Sequence, residues 1–340
     1  MAALTKRRNV IILIVAILVA VILFSSFTYL NSQKTYNGNV ESVTIGVLPQ
    51  EINSLIYIAD NQHYFASQGL NVTIKPYSSN LAAVNDMLNG KLDFATASEF
   101  VLATEVLANQ NIRAIATIDK NTQISIVALK DKGIENISDL AGKKIGVFLN
   151  GVVEFYLGQF LELNGMNINQ VTLVDYSSLN VTSALASGVF DAAIVGRTTL
   201  DSIEQSFSSN SIVEWPAQNS QPTYYNAYCT QTFTVAHPDL INRFLKALFQ
   251  AENYAIDNPE GAKVIIQKQL NISDAAISEI WPQNLFSLSL DQSFVLQLQE
   301  EARWLISNNL TDATVVPNFL NYIYVTGLET ASPGAVDIIS

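Results

Sequence analysis

The chain has 340 residues, 49% of them apolar, which is enough for two lobes each with its own core and excludes a disordered or fibrous protein. A formal net charge of −12, with no cluster of Lys and Arg beyond residue 8, excludes a surface built for nucleic acid. One cysteine, Cys229, and two distant histidines, His63 and His237, exclude an intramolecular disulfide and a zinc motif, so neither metal nor cofactor is expected.

Lys6, Arg7 and Arg8 precede an uncharged stretch that is continuously apolar from Val10 to Phe24. Extended to Leu30, it reaches the roughly 20 residues that a helix needs to cross a bilayer. Residues 1–9 therefore read as a cytoplasmic basic segment, 10–30 as a transmembrane signal anchor and 31–41 as a polar linker. That places the remainder outside, on a single-pass protein of the cell membrane. Cleavage of a signal peptide is the alternative, but the exit Ser25-Ser26-Phe27-Thr28-Tyr29 offers no A-x-A-like site. No cysteine follows the apolar run, so a lipid anchor is not expected.

Beyond the linker the sequence repeats itself. Ile45-Gly46-Val47-Leu48 recurs as Ile145-Gly146-Val147-Phe148, and Gly69-Leu70-Asn71 as Gly165-Met166-Asn167. Tyr77-Ser78-Ser79 recurs as Tyr176-Ser177-Ser178, and Gly90-Lys91-Leu92-Asp93 as Gly188-Val189-Phe190-Asp191. Four matches in one order, at offsets of 96 to 100 residues, predict two lobes on one plan.

The first lobe reads as a strand over Val43 to Leu48, a helix over Ile52 to Ser67, a strand over Val72 to Tyr77, a helix over Leu81 to Leu88 and a strand from Asp93 to Thr96. The second repeats this over Lys144 to Phe148, Glu154 to Leu163, Val171 to Tyr176, Val181 to Ala186 and Asp191 to Val195. Tyr225 to Ala236 reads as a long strand returning to the first lobe, and the remainder is largely helical. Alternating strands and helices of this kind predict an α/β protein of two doubly wound lobes, with lobe 1 at 42–123 and 224–330 and lobe 2 at 124–223.

Several of these stretches resemble the nitrate/sulfonate/taurine-type substrate-binding proteins of ABC transporters, a group that includes binders of thiamine precursors (the NMT1/SsuA-like family). The resemblance lies in 59–72, in Asn89-Gly90-Lys91-Leu92-Asp93-Phe94-Ala95, in 139–147, in 186–193 and in Asp257-Asn258-Pro259-Glu260. It implies the type II periplasmic-binding-protein-like fold, with two crossover strands as a hinge. It also implies binding rather than catalysis. Gly196-Arg197-Thr198 departs from the family in lacking the aromatic and acidic pair often found there.

Ligands of open α/β sheets sit beyond the carboxyl ends of the strands, and that rule selects loops from both lobes. The candidate ligand-binding residues are Gln50, Ser78, Asn80, Ser98, Glu99 and Thr122 from the first lobe and Asn150, Gly151, Val152, Glu154 and Arg197 from the second. Tyr225 joins them from the return strand. Helix N-termini suit carboxylate, sulfonate or phosphate groups, and Gly151 permits close backbone approach. The serines suit helix capping as well as ligand contact, and Arg197 suits an anion or a pair with Asp201 or Glu204. The expected function is a membrane-tethered, monomeric solute-binding component of an ABC importer, with permease subunits as partners and a small anionic or zwitterionic ligand. A tethered sensor and an enzyme on the same fold are the alternatives.

Overall fold

A computed structural model describes residues 36–339 other than Ser178. The segments 1–9 and 10–30, and residues 31–35 of the linker, lie outside the described residues. Among the described residues no helix is long and apolar enough to cross a membrane.

Strands β1 (Glu41–Val47), β2 (Leu70–Pro76) and β3 (Phe94–Ser98) are parallel, with β1 in the middle. The chain leaves this sheet along β4 (Ile112–Asn121) and enters the second along β5 (Ile124–Leu129). The second sheet adds β6 (Lys144–Val147), β7 (Thr172–Asp175), β8 (Ala192–Gly196) and β9 (Ile212–Pro216). Strand β10 (Thr223–Thr230) returns to the first sheet, which the short β11 (Asn284–Leu285) completes. The orders are β2-β1-β3-β10-β4-β11 and β7-β6-β8-β5-β9. In each sheet the strand arriving from the other lobe, β10 or β5, inserts antiparallel between the third parallel strand and the strand that leaves.

The repeated residues have repeated jobs. Asp93 accepts the N–H of Thr44 at 2.7 Å and Asp191 accepts that of Lys144 at 2.9 Å, so each aspartate ties the third strand of its lobe to the first. A Cβ on Gly46 would stand 2.6 Å from Leu92, and one on Gly146 would stand 2.8 Å from Phe190. The glycine of each first strand thus makes room for the side chain two places before the third parallel strand of its lobe. Gly90 and Gly188 take φ of +72° and +73°, the left-handed conformation that ends the preceding helix.

The long first helix expected over 52–67 is broken. Helix Ser54–Asn61 stops and Tyr64–Ser67 restarts, because His63 is left-handed at φ +58°. The expected long strand to Ala236 is shorter: β10 ends at Thr230, whose hydroxyl accepts from Phe233 N and starts helix Gln231–Ala236. Capping chemistry there overrides the β propensity of Thr232, Phe233 and Val235.

The core is continuous between the lobes. Helix Val152–Leu163 of the second lobe packs through Phe155 and Gly158 on Phe100 and Trp304 of the first, with Phe155 and Trp304 edge to face at 5.7 Å. Trp304 belongs to helix Gln292–Ser307, which lies along helix Glu99–Leu107. This interlobe seam buries aromatic rings, and Cys229 is a buried apolar filler of the first lobe.

Candidate functional site: the interlobe cavity

A cavity of about 360 Å³ opens between the lobes, walled by the carboxyl ends of β1, β3 and β6 and the loops after them. From the first lobe come Leu48, Ser78, Ser79, Asn80, Leu81, Ser98, Val101 and Tyr225. Phe148, Leu149, Asn150, Gly151, Val152 and Val153 form the facing wall. Among the described residues no charged side chain lines it.

Three helices start at this cavity. Helix Asn80–Leu88 is capped by Ser79, whose hydroxyl accepts from Ala82 N at 3.2 Å. Helices Glu99–Leu107 and Val152–Leu163 begin at Ser98 and Gly151, neither of which caps its helix with a side chain. Glu154 instead reaches back to accept the N–H of Asn150 at 2.7 Å, which holds Asn150 left-handed at φ +57°. That arrangement ties the loop while leaving the helix start to the cavity. An anion at each such terminus gains about 0.3–1 kcal/mol, more where partly buried.

The side chains of Ser78, Asn80, Ser98, Asn150 and Tyr225 combine wall positions with uncommitted polar groups. Asn80 Oδ1 is buried without a partner among the described residues. Burial holds the Tyr225 phenol far above its ordinary range, with Glu99 adding to the shift, so its hydroxyl is a donor at any ordinary pH. Around these lies an apolar lining, and Phe148 is 40% exposed and Leu81 42% exposed, on opposite sides of the opening.

Of the expected site residues, the cavity therefore gathers Ser78, Asn80, Ser98, Asn150, Gly151, Val152 and Tyr225. Gln50, Glu99, Thr122, Glu154 and Arg197 stand outside its wall. Gln50 and Thr122 are exposed elsewhere. Glu99 is fully buried and accepts the N–H of Tyr224 at 2.9 Å. Arg197 has its guanidinium among three carboxylates: Asp201, Glu204 at 2.6 Å, and Glu279 at 3.0 Å from the helical tail of the first lobe. Its charge is spent on its own helix and on a bridge between lobes. The apolar wall residues Leu48, Leu81, Val101, Phe148, Leu149 and Val153 were not among the expected site residues. Their signal in the sequence is adjacency to the polar loop positions, since a cavity wall alternates the two.

The comparisons with known proteins follow this geometry. The family model described as NMT1/THI5 like matches residues 53–262. The chain belongs to that family. It is 23% identical over 69% of its length to the taurine-binding periplasmic protein of Escherichia coli, covering 73% of that protein. It is also 23% identical over 61% of its length to the 4-amino-5-hydroxymethyl-2-methylpyrimidine phosphate synthase of Aspergillus parasiticus, covering 64% of it. Among solved structures, the alkanesulfonate-binding protein SsuA from Xanthomonas axonopodis pv. citri, bound to MOPS, superposes with a TM-score of 0.72 at 14% identity, over 85% of this chain and 100% of that one. The periplasmic-binding-protein-like α/β fold that the resemblance implied is the fold of this chain.

Proposed function

We propose that this protein is the solute-capturing subunit of an ABC importer, and that it takes an organic anion with an apolar body, a sulfonate or carboxylate, between its lobes. The observation that carries this reading is the cavity wall. Uncapped helix starts and five uncommitted polar side chains are set in an apolar lining with no charged side chain. Helix-start N–H groups and side-chain amide and hydroxyl donors, with no carboxylate among them, then face the acid group, while the lining receives a hydrocarbon body. The names of the taurine- and alkanesulfonate-binding relatives support the ligand class. An extracytoplasmic position, with residues 10–30 as the anchor, a monomeric state and permease subunits as partners complete the proposal.

Binding without catalysis is the reading that the wall chemistry supports. It presents no histidine, cysteine or carboxylate to act as nucleophile or base. Thermal unfolding with MOPS, taurine, hexanesulfonate, benzoate and nitrate tests it. A ligand at about 100 times its Kd stabilises by about 2.7 kcal/mol. Stabilisation by an organic anion, without turnover, is the expected result. No shift with any of them, or formation of a product, overturns the proposal.

A further inference from the structure

Glu99 opens the helix whose N-terminus borders the cavity, and Glu301 lies on the neighbouring helix Gln292–Ser307. Both are 0% exposed, and their carboxyls are in hydrogen-bond contact. Glu99 Oε2 accepts from Tyr224 N, and Glu301 Oε1 from Gln297 Nε2 at 3.5 Å. The other two oxygens, Glu99 Oε1 and Glu301 Oε2, have no N–H or other hydroxyl donor among the described residues. The donor left to them is a carboxylic proton.

The groups that act on this pair carry no positive charge. Strand β10 brings Tyr224, Tyr225 and Tyr228, all with raised phenols, and helix Val152–Leu163 brings Tyr156, raised by burial and then by Glu99 and Glu301. Lys120, over the Tyr224 ring at 5.3 Å, is paired with Asp291. Burial accordingly pushes Glu99 up to about 8 and Glu301 well above the carboxylate range.

The pair is wired into both lobes. Tyr156 of the second lobe donates to Pro222 O of the returning crossover at 3.1 Å and accepts from Gln297 Nε2 at 3.4 Å. Gln297 also bonds Glu301, and Glu99 bonds the crossover strand at Tyr224. The chain Pro222, Tyr156, Gln297, Glu301, Glu99, Tyr224 thus closes across the interlobe seam. Ser98 and Tyr225, each one residue from a member of this chain, line the ligand cavity.

We propose that Glu99 and Glu301 form a proton-held joint in the interlobe seam, whose ionisation at alkaline pH loosens the packing of helix Val152–Leu163 on the first lobe and weakens capture of an anion. The joint concerns regulation of the cavity and rests on the functional reading only in its last clause. A second negative charge in a seam without cations is relieved only by admitting water, and water enters where the lobes meet. It also sets negative charge behind the cavity, against an anionic ligand.

The test needs no ligand at first. Infrared difference spectra of the full chain, carrying ¹³C-labelled Glu, read the carbonyl stretch of protonated carboxyls from about pH 6.5 to about 9.5. A buried protonated Glu band that disappears on alkaline titration is expected, and it is reduced at neutral pH in Glu301→Gln, whose amide supplies the missing donor. Amide hydrogen exchange over 153–161, corrected for intrinsic rates, reads the seam in parallel. Protection should fall by about tenfold or more with rising pH in the parent and stay flat in Glu301→Gln. Absence of the Glu band in the parent, or protection that is pH-independent, overturns the joint even if the variant fails to fold. With MOPS or hexanesulfonate present, affinity should fall over the same range in the parent only. If neither binds, the functional reading fails while the joint is still decided by the first two measurements.

Discussion

Glu279→Gln removes a carboxylate that the first lobe offers to Arg197. The two charges stand 3.0 Å apart, and the Glu279 side chain is 49% exposed. Coulomb attraction at that distance is about 1.4 kcal/mol at the dielectric of water, and side-chain entropy reduces an exposed pair to about 0.2–1 kcal/mol. Because the bridge joins the lobes, this energy biases closure rather than folding, and its loss lowers the closed-to-open ratio roughly 1.4- to 5-fold. Arg197 keeps Asp201 and Glu204, so the second lobe does not acquire an unpaired cation. Distances between spin labels on Asn85 and Ser183 read the ratio directly. The variant should show a wider distribution at low salt, and the parent should approach it as salt screens the bridge. Identical distributions at low salt, or a variant whose distribution still shifts with salt as the parent's does, would refute the reasoning.

Other substitutions separate the fold from the site. Gly146→Ala places a methyl 2.8 Å from the fully buried Phe190 and should cost about 1–3 kcal/mol by overpacking. Its melting temperature should fall by several degrees, against no change for Gly334→Ala, where a Cβ meets nothing within 4 Å. Phe148→Ala removes an aromatic lip of the cavity that is 40% exposed and should weaken hexanesulfonate or MOPS by roughly tenfold while leaving stability almost unaltered, checked by calorimetry. The fold itself should lose stability with rising pH between 4.5 and about 8, the ordinary and folded-state values for Glu99. The folded state holds that proton more tightly, so its contribution is complete below the lower value and lost as pH passes the upper one. Urea midpoints across that window measure the slope, and Glu99→Gln, which removes the titrating group, should flatten it.

Much of the architecture is legible along the chain because it rests on local rules. The repeated Ile-Gly-Val runs, the glycines that end helices and the aspartates at the third strands recur, since each lobe needs the same room, turn and tie. The loops after the strands could be named for the same reason, and seven of the twelve expected site residues meet in one cavity: Ser78, Asn80, Ser98, Asn150, Gly151, Val152 and Tyr225.

What only tertiary structure decides is the state of the charged groups and the pairing of surfaces. Glu99 and Arg197 stand in the right loops, yet one carboxyl turns into the seam to meet Glu301, and the guanidinium turns to Glu279, some eighty residues away in the chain. Nothing in local spacing announces partners at such separations. A helix start, a turn or a strand is determined by the few residues around it. The direction of a charged side chain is settled by which distant element removes it from water, and that depends on how the two lobes meet.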